Sequence, residues 1–105
     1  MSTRLEQLQK MLEREPNDTF LLYGLAMEHK KAGNKDLALQ LLEKVTELDS
    51  GHGYAFFQAG QILESNGDVA GARKAYEGGI VAAKKSGDSH AVSELEGALA
   101  MMLES

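Results

Sequence analysis

The sequence contains no cysteine and only one proline, and each scarcity excludes a class of structure. Without cysteine the chain has no disulfide framework, no thiolate metal site and no cysteine nucleophile. Because the one proline is Pro16, nothing after it interrupts a helix through a missing backbone donor. We expect the fold to be stabilised by packing alone.

Long runs of basic or apolar residues are also missing. No run of lysine and arginine exceeds two residues and the net charge is −5 at pH 7, so a phosphate-binding surface is not expected. No stretch approaches the ~20 apolar residues of a membrane span, and the start of the chain lacks the apolar core of a signal peptide. The sequence therefore predicts a cytoplasmic protein that binds neither nucleic acid nor membrane.

The residues that usually carry chemistry do not form a recognisable site. His29, His52 and His90 are far apart and none has a second ligand three or four residues away, so no metal site is predicted. Glu94 and Glu96 are two residues apart, which points them to different faces of a helix. We predict neither an enzyme nor a cofactor.

What the sequence does contain is a helical pattern broken at regular places. Apolar residues recur every three or four positions between short polar breaks rich in glycine, asparagine and aspartate, which is typical of amphipathic helices. The pattern predicts six helices, and the short connections predict antiparallel hairpins. The breaks fall at residues 15–18, 32–34, 49–53, 66–68 and 86–88.

The sequence also repeats itself at an offset of 34 residues. Gly33 then aligns with Gly67 and Ala38 with Ala72. Further aligned pairs are Phe20 with Tyr54, Tyr23 with Phe57, Ala26 with Gly60, Asn34 with Asp68, and Leu42 with Tyr76. A hairpin of this size cannot bury its apolar face alone, so a fixed period predicts stacked repeats.

Small residues in the repeat have predicted positions. Ala26 and Gly60, with Ala38 and Ala72, are expected where two helices approach closely. Gly33 is expected, like its repeat counterpart, to adopt the left-handed conformation that turns the chain after a helix.

This hairpin with small and aromatic landmarks resembles the tetratricopeptide repeat. The resemblance implies an all-α fold, a right-handed superhelix of antiparallel helical hairpins. It divides a single domain, residues 1–105, into an N-terminal partial-repeat helix (1–16), a first repeat (18–50), a second repeat (52–85) and a C-terminal capping helix (88–104). The first helices of such repeats line a concave groove.

By the same resemblance, the groove receives an extended peptide or a helix of a partner protein. The implied groove residues are Phe20, Tyr23, Met27 and Lys30 of the first repeat, and Tyr54, Phe57, Gln61 and Glu64 of the second. The family's clamp for a terminal carboxylate is not matched, because Tyr23, Met27, Gln58 and Asp88 lie near its expected positions. Lys30 and Lys31 would favour an acidic end of a partner segment.

The aromatic residues give this expectation independent content. Four of the six aromatics lie on the predicted groove face in two pairs spaced by three residues, and aromatic side chains offer large contact area at low entropic cost. Three interpretations remain open: partner recognition, self-association and packing within the molecule. We predict a protein interaction module, an adaptor or scaffold. The alternative is a homo-oligomer that associates through this face or through the last helix, where Met101–Leu103 is apolar.

Overall fold

The computed structural model describes residues 3–104, and this part of the chain is entirely α-helical apart from turns. The six predicted helices and the all-α class are confirmed. No helix among the described residues is long and apolar enough to cross a membrane. The helices are α1 Arg4–Arg14, α2 Thr19–Lys31, α3 Lys35–Leu48, α4 Gly53–Ser65, α5 Val69–Ser86 and α6 Ser89–Glu104.

Three helices begin at an aspartate that caps exposed backbone donors. Oδ1 of Asp18 accepts a hydrogen bond from the backbone N–H of Leu21 at 3.1 Å, and Asp68 and Asp88 accept the corresponding bonds at 2.8 and 3.0 Å. The first N–H groups of a helix have no partner within the helix, so each cap stabilises the start of its helix by about 1 kcal/mol. The positions of α2, α5 and α6 are therefore encoded locally.

Three helices end at a glycine in the left-handed conformation. Gly33, Gly67 and Gly87 have φ of 87°, 81° and 75°. After Gly33, the N–H of Asn34 bonds to the carbonyl of His29 at 2.8 Å, which satisfies a carbonyl at the end of α2. The conformation predicted for Gly33 and Gly67 is confirmed.

The chain divides into two compact units, Met1–Asp49 and Ser50–Ser105. The assignment of all residues to one domain stays a prediction. In the N-terminal unit, α2 packs against both α1 and α3. Its core is a leucine cluster formed by Leu8, Leu21 and Leu25, with Leu5, Leu12 and Leu41 packed around it.

In the C-terminal unit, α4 packs against α5, and α6 packs against both of these helices. The core cluster comprises Ala72, Tyr76, Ala83, Ala91, Leu95 and Met102. Gly60 allows the close approach that was predicted for it, because a Cβ at this position would lie only 2.7 Å from Cδ1 of Tyr76. Gly79 is equally confined, since its Cβ would lie 2.7 Å from the side chains of Leu95 and Phe56.

Candidate functional site

The first group of predicted groove residues lies along α2 in the N-terminal unit. Phe20 is 78% exposed, whereas Tyr23, Met27 and Lys30 are half-buried. Spacings of three and four residues place these side chains along one side of the helix. We call them the α2 face.

The α2 face borders an open crevice between α1 and α2. The crevice has a volume of about 350 Å³. Its lining residues are Arg4 from α1 and Phe20, Tyr23, Gly24, Met27, Glu28 and Lys31 from α2. Apolar side chains with a few charged groups at one end are the usual composition of a site that binds a side chain of a partner.

Charged groups gather at the C-terminal end of α2. Arg4 Nε lies 3.3 Å from Oε1 of Glu28, and the last turn of α2 carries His29, Lys30 and Lys31. Cations at this end of a helix are favoured by its dipole. Burial lowers the pKa of the Lys30 ammonium group from its ordinary value.

The second group of predicted groove residues lies along α4 in the C-terminal unit, and its aromatic pair has neighbours within that unit. Tyr54 and Phe57 are half-buried and pack against the core cluster. Their rings meet edge to face with centroids 6.4 Å apart. Phe57 also lies 6.2 Å from the ring of Tyr76, and the Tyr54 hydroxyl hydrogen-bonds to Nδ1 of His90 on α6. This pair therefore joins α4 to α5 and α6.

Gln61 and Glu64 are exposed, and together with Tyr54 and Phe57 they form what we call the α4 face. The Tyr76 hydroxyl donates a hydrogen bond to Oε1 of Glu64 at 2.7 Å. Burial raises the pKa of Tyr76, and the bond to the Glu64 carboxylate raises it further. A second crevice, of about 400 Å³, is lined by Gln61, Glu64, Ser65, Tyr76, Ala98 and Met101.

Sequence reasoning missed the contribution of α1 to the first crevice. Arg4 was assigned only to a partial repeat, and Gly24 was not singled out, yet both line the crevice beside the predicted Phe20 and Tyr23. The available signal is Gly24 itself, because a glycine inside a helix costs up to about 1 kcal/mol relative to alanine and leaves open the space that a side chain would fill.

His29 is the one buried histidine of residues 3–104, with 6% exposure. Its Nδ1 lies 3.2 Å from the side-chain nitrogen of Asn34, which ties the end of α2 to the start of α3. Among the described residues, no group of three histidine, aspartate or glutamate side chains is placed to hold a metal ion.

Comparisons with known proteins identify the repeat. A family profile described as tetratricopeptide repeat matches residues 21–52. A tetratricopeptide repeat-containing protein of Pseudomonas aeruginosa is 32% identical over 91 residues, which cover 87% of this chain and 87% of that protein.

Two solved structures extend the comparison. The solution structure of a Bordetella parapertussis protein matches with a TM-score of 0.84 and 31% identity, covering 99% of this chain and 90% of the other. PcrH, crystallised with the chaperone binding region of PopD, shares the fold, with a TM-score of 0.87, 17% identity, and coverage of 95% and 76%. Because the Pseudomonas relative is 32% identical across most of both chains, the chain belongs to the tetratricopeptide repeat family.

Proposed function

We propose that this chain is an interaction module that binds a segment of a partner protein, with the α2 face as its main contact surface. The observation that carries the proposal is Phe20, an aromatic side chain that is 78% exposed beside an open crevice. An exposed large apolar side chain costs solvation free energy in the isolated molecule, and aromatic residues are enriched where partners bind.

The family supports an interaction role for the whole chain. Tetratricopeptide repeats are generally non-catalytic modules that bind proteins or peptides. PcrH, which shares the fold, was crystallised with a binding region of PopD. That likeness is one of fold, so it supports the class of activity and leaves the partner to be found.

The α4 face has a smaller part in the proposal. Tyr54 and Phe57 make ring contacts within their own unit, which accounts for their clustering without a partner. Gln61 and Glu64 are exposed and stay in the proposal as polar contact residues. We therefore expect substitutions on α2 to affect binding more directly than substitutions of the α4 aromatics.

The test is affinity capture from a lysate of the source cell, with the bound proteins quantified by mass spectrometry. The wild-type chain is compared with Phe20→Ala and with Val81→Ala, a control that removes another exposed apolar side chain, 69% exposed on α5. We expect a partner that is retained by wild type and by Val81→Ala and lost with Phe20→Ala. Equal capture by all three chains would contradict the assignment to α2.

Self-association is the second candidate function, and the last helix favours it. Met101 and Leu103 are 74% and 58% exposed on α6, and exposed apolar side chains close together are typical of contact surfaces. Light scattering over a hundredfold range of concentration tests this candidate. A mass that stays at one chain throughout would exclude it.

A further inference from the structure

Two crevices of the N-terminal unit meet at one group of charged residues. One is the crevice beside the α2 face. The other, which is distinct from the crevice of the C-terminal unit, has a volume of about 340 Å³ and is lined by Thr3, Arg4, Leu5, Glu28, Lys31 and Ala32. Arg4, Glu28 and Lys31 line both. A partner segment that follows the α2 face towards the end of the helix therefore reaches these three side chains.

This charged group carries an excess of positive charge on an acidic chain. Arg4 and Lys31 oppose one carboxylate, Glu28, whereas the chain as a whole has a net charge of −5. Arg4 uses Nε towards Glu28, and its side chain is 63% exposed. Lys31 is exposed, and it is not part of any ion pair within residues 3–104. The terminal nitrogens of Arg4 and the ammonium group of Lys31 can therefore donate to an incoming carboxylate.

The distance from the apolar end to the charged end sets a spacing. Phe20 and Lys31 lie near opposite ends of α2, and a rise of about 1.5 Å per residue separates them by roughly 16 Å along the axis. An extended peptide advances about 3.3 Å per residue, so it covers this distance in about five residues.

We propose that this site recognises a partner segment in which an apolar side chain and a carboxylate are about five residues apart. The apolar side chain contacts Phe20 and Tyr23, and the carboxylate pairs with Lys31. Arg4, whose Nη2 lies 3.9 Å from the position of a Cβ at Gly24, faces the part of the segment between these two side chains. The inference rests on the proposed function, because it takes the α2 face as the surface that a partner segment contacts.

The first experiment uses synthetic probes and the full chain labelled with ¹⁵N. The acidic probe is a glycine-serine peptide of ten residues with one phenylalanine and, five positions away, two adjacent glutamates. Its matched controls carry glutamines in place of the glutamates, or serine in place of the phenylalanine. We expect the acidic probe to shift the amide signals of Gly24, Glu28 and Lys31, and to bind about threefold to tenfold more tightly than the glutamine probe at low salt.

Variants of the chain then test which residues are responsible. Lys31→Gln should abolish the preference for the acidic probe, whereas Lys44→Gln, which changes the net charge equally on α3, should retain it. Gly24→Ala should weaken binding of every probe by narrowing the crevice. The helix accepts this methyl group, since a Cβ at Gly24 would lie 3.5 Å from Cδ2 of Leu8, an ordinary contact.

The outcomes separate this inference from the proposed function. Equal binding of the acidic and glutamine probes would overturn the carboxylate preference. No shift on α2 with any probe at several millimolar would overturn the spacing and the site. Neither outcome decides the proposed function, which is tested separately by whether Phe20→Ala loses a captured partner.

Discussion

The hairpins α2–α3 and α4–α5 fill equivalent core positions with side chains of different size. The first hairpin has Ala26 and Leu42 where the second has Gly60 and Tyr76. Ala26 and Tyr76 are each at most 1% exposed. Where the second hairpin has the larger side chain, Tyr76, the residue opposite it is Gly60, which has no Cβ. Cores tolerate substitution when total volume is conserved, so the repeat preserves a combined size across two positions.

The aromatic pairs at equivalent positions of the two hairpins differ in how much of each ring is exposed. Phe20 and Tyr23 align with Tyr54 and Phe57, but Phe20 is 78% exposed while both α4 rings pack against their own core cluster. In the C-terminal unit, α6 supplies His90 against Tyr54. Equal positions in the repeat therefore give an accessible aromatic on α2 and a structural pair on α4.

The largest effect is expected for Gly60→Ala, which places the Ala26 side chain of the first hairpin into the second. Because the new Cβ would lie 2.7 Å from Cδ1 of Tyr76 and closer still to Cε1 of the same ring, either the helices or the ring must move. We expect the free energy of unfolding to fall by about 2 to 3 kcal/mol. Urea denaturation followed by far-ultraviolet circular dichroism measures the change.

The control is the double variant Gly60→Ala, Tyr76→Leu, which reproduces the pair of the first hairpin. Its loss of stability should be smaller than the sum of the two single losses by at least about 1 kcal/mol, since residues in contact are energetically coupled. Additive losses would show that the two positions do not compensate each other in size.

A smaller effect separates the two aromatic faces. Phe57→Ala removes a half-buried ring that contacts Tyr54 and Tyr76, so we expect a loss of about 2 kcal/mol, below the 3 to 5 kcal/mol of a fully buried phenylalanine. Phe20→Ala should change stability by less than about 0.5 kcal/mol. Thermal and urea unfolding of both variants tests this difference, and a large loss with Phe20→Ala would assign that ring a packing role.

The helices and their hairpins could be predicted because their signals are local. The glycines after α2, α4 and α5, the aspartates before α2, α5 and α6, and the 34-residue offset are all visible in the sequence. The repeat position of Gly60 alone predicts a close approach, whereas only the structure identifies Tyr76 as the ring opposite it.

The surroundings of the site could be predicted less well because they depend on neighbouring helices. Spacing by three residues places Tyr54 and Phe57 on one face, but it does not say that α5 and α6 supply Tyr76 and His90 against that face. Arg4 reaches Glu28 only because α1 packs on α2. The sequence pattern predicts which residues share a face of each helix. Which residues of other helices contact that face depends on how the helices pack.

The next difference between the hairpins is chemical, since Tyr76 has an ionisable hydroxyl and its counterpart Leu42 does not. The pKa of Tyr76 is raised in the folded chain by burial and by Glu64, so between its unfolded value of about 10 and its folded value the folded state binds more protons. The contribution of Tyr76 to the free energy of unfolding is therefore fully present below pH 10. Above pH 10 the free energy of unfolding falls as pH rises, by up to about 1.4 kcal/mol per pH unit.

Tyr76→Phe supplies the control for this pH dependence. The variant loses the hydrogen bond to Glu64, at a cost of about 1 kcal/mol near neutral pH, but it has no hydroxyl to ionise. We would measure urea unfolding of both chains at pH 8, 9, 10 and 11. The difference between their free energies of unfolding should become smaller above pH 10. A constant difference would mean that Tyr76 ionises as easily when folded as when unfolded.

The smallest effect concerns the turns that join the two helices of each hairpin. Asn34 aligns with Asp68, but Asp68 caps α5 through the N–H of Gly71, whereas the side chain of Asn34 makes no cap bond to α3 and contacts Nδ1 of buried His29. We expect Asn34→Ala to cost about 1 kcal/mol, since it removes the partner of a buried polar atom.

His29→Leu introduces the residue found at the aligned position of the second hairpin, Leu63, and removes that polar atom. Asn34→Ala in this background should cost less than about 0.5 kcal/mol, because no buried nitrogen is left without its bond. An equal cost in both backgrounds would assign Asn34 a role in the backbone of the turn instead. The comparison therefore distinguishes a hairpin joined by a side-chain bond from one joined by a helix cap.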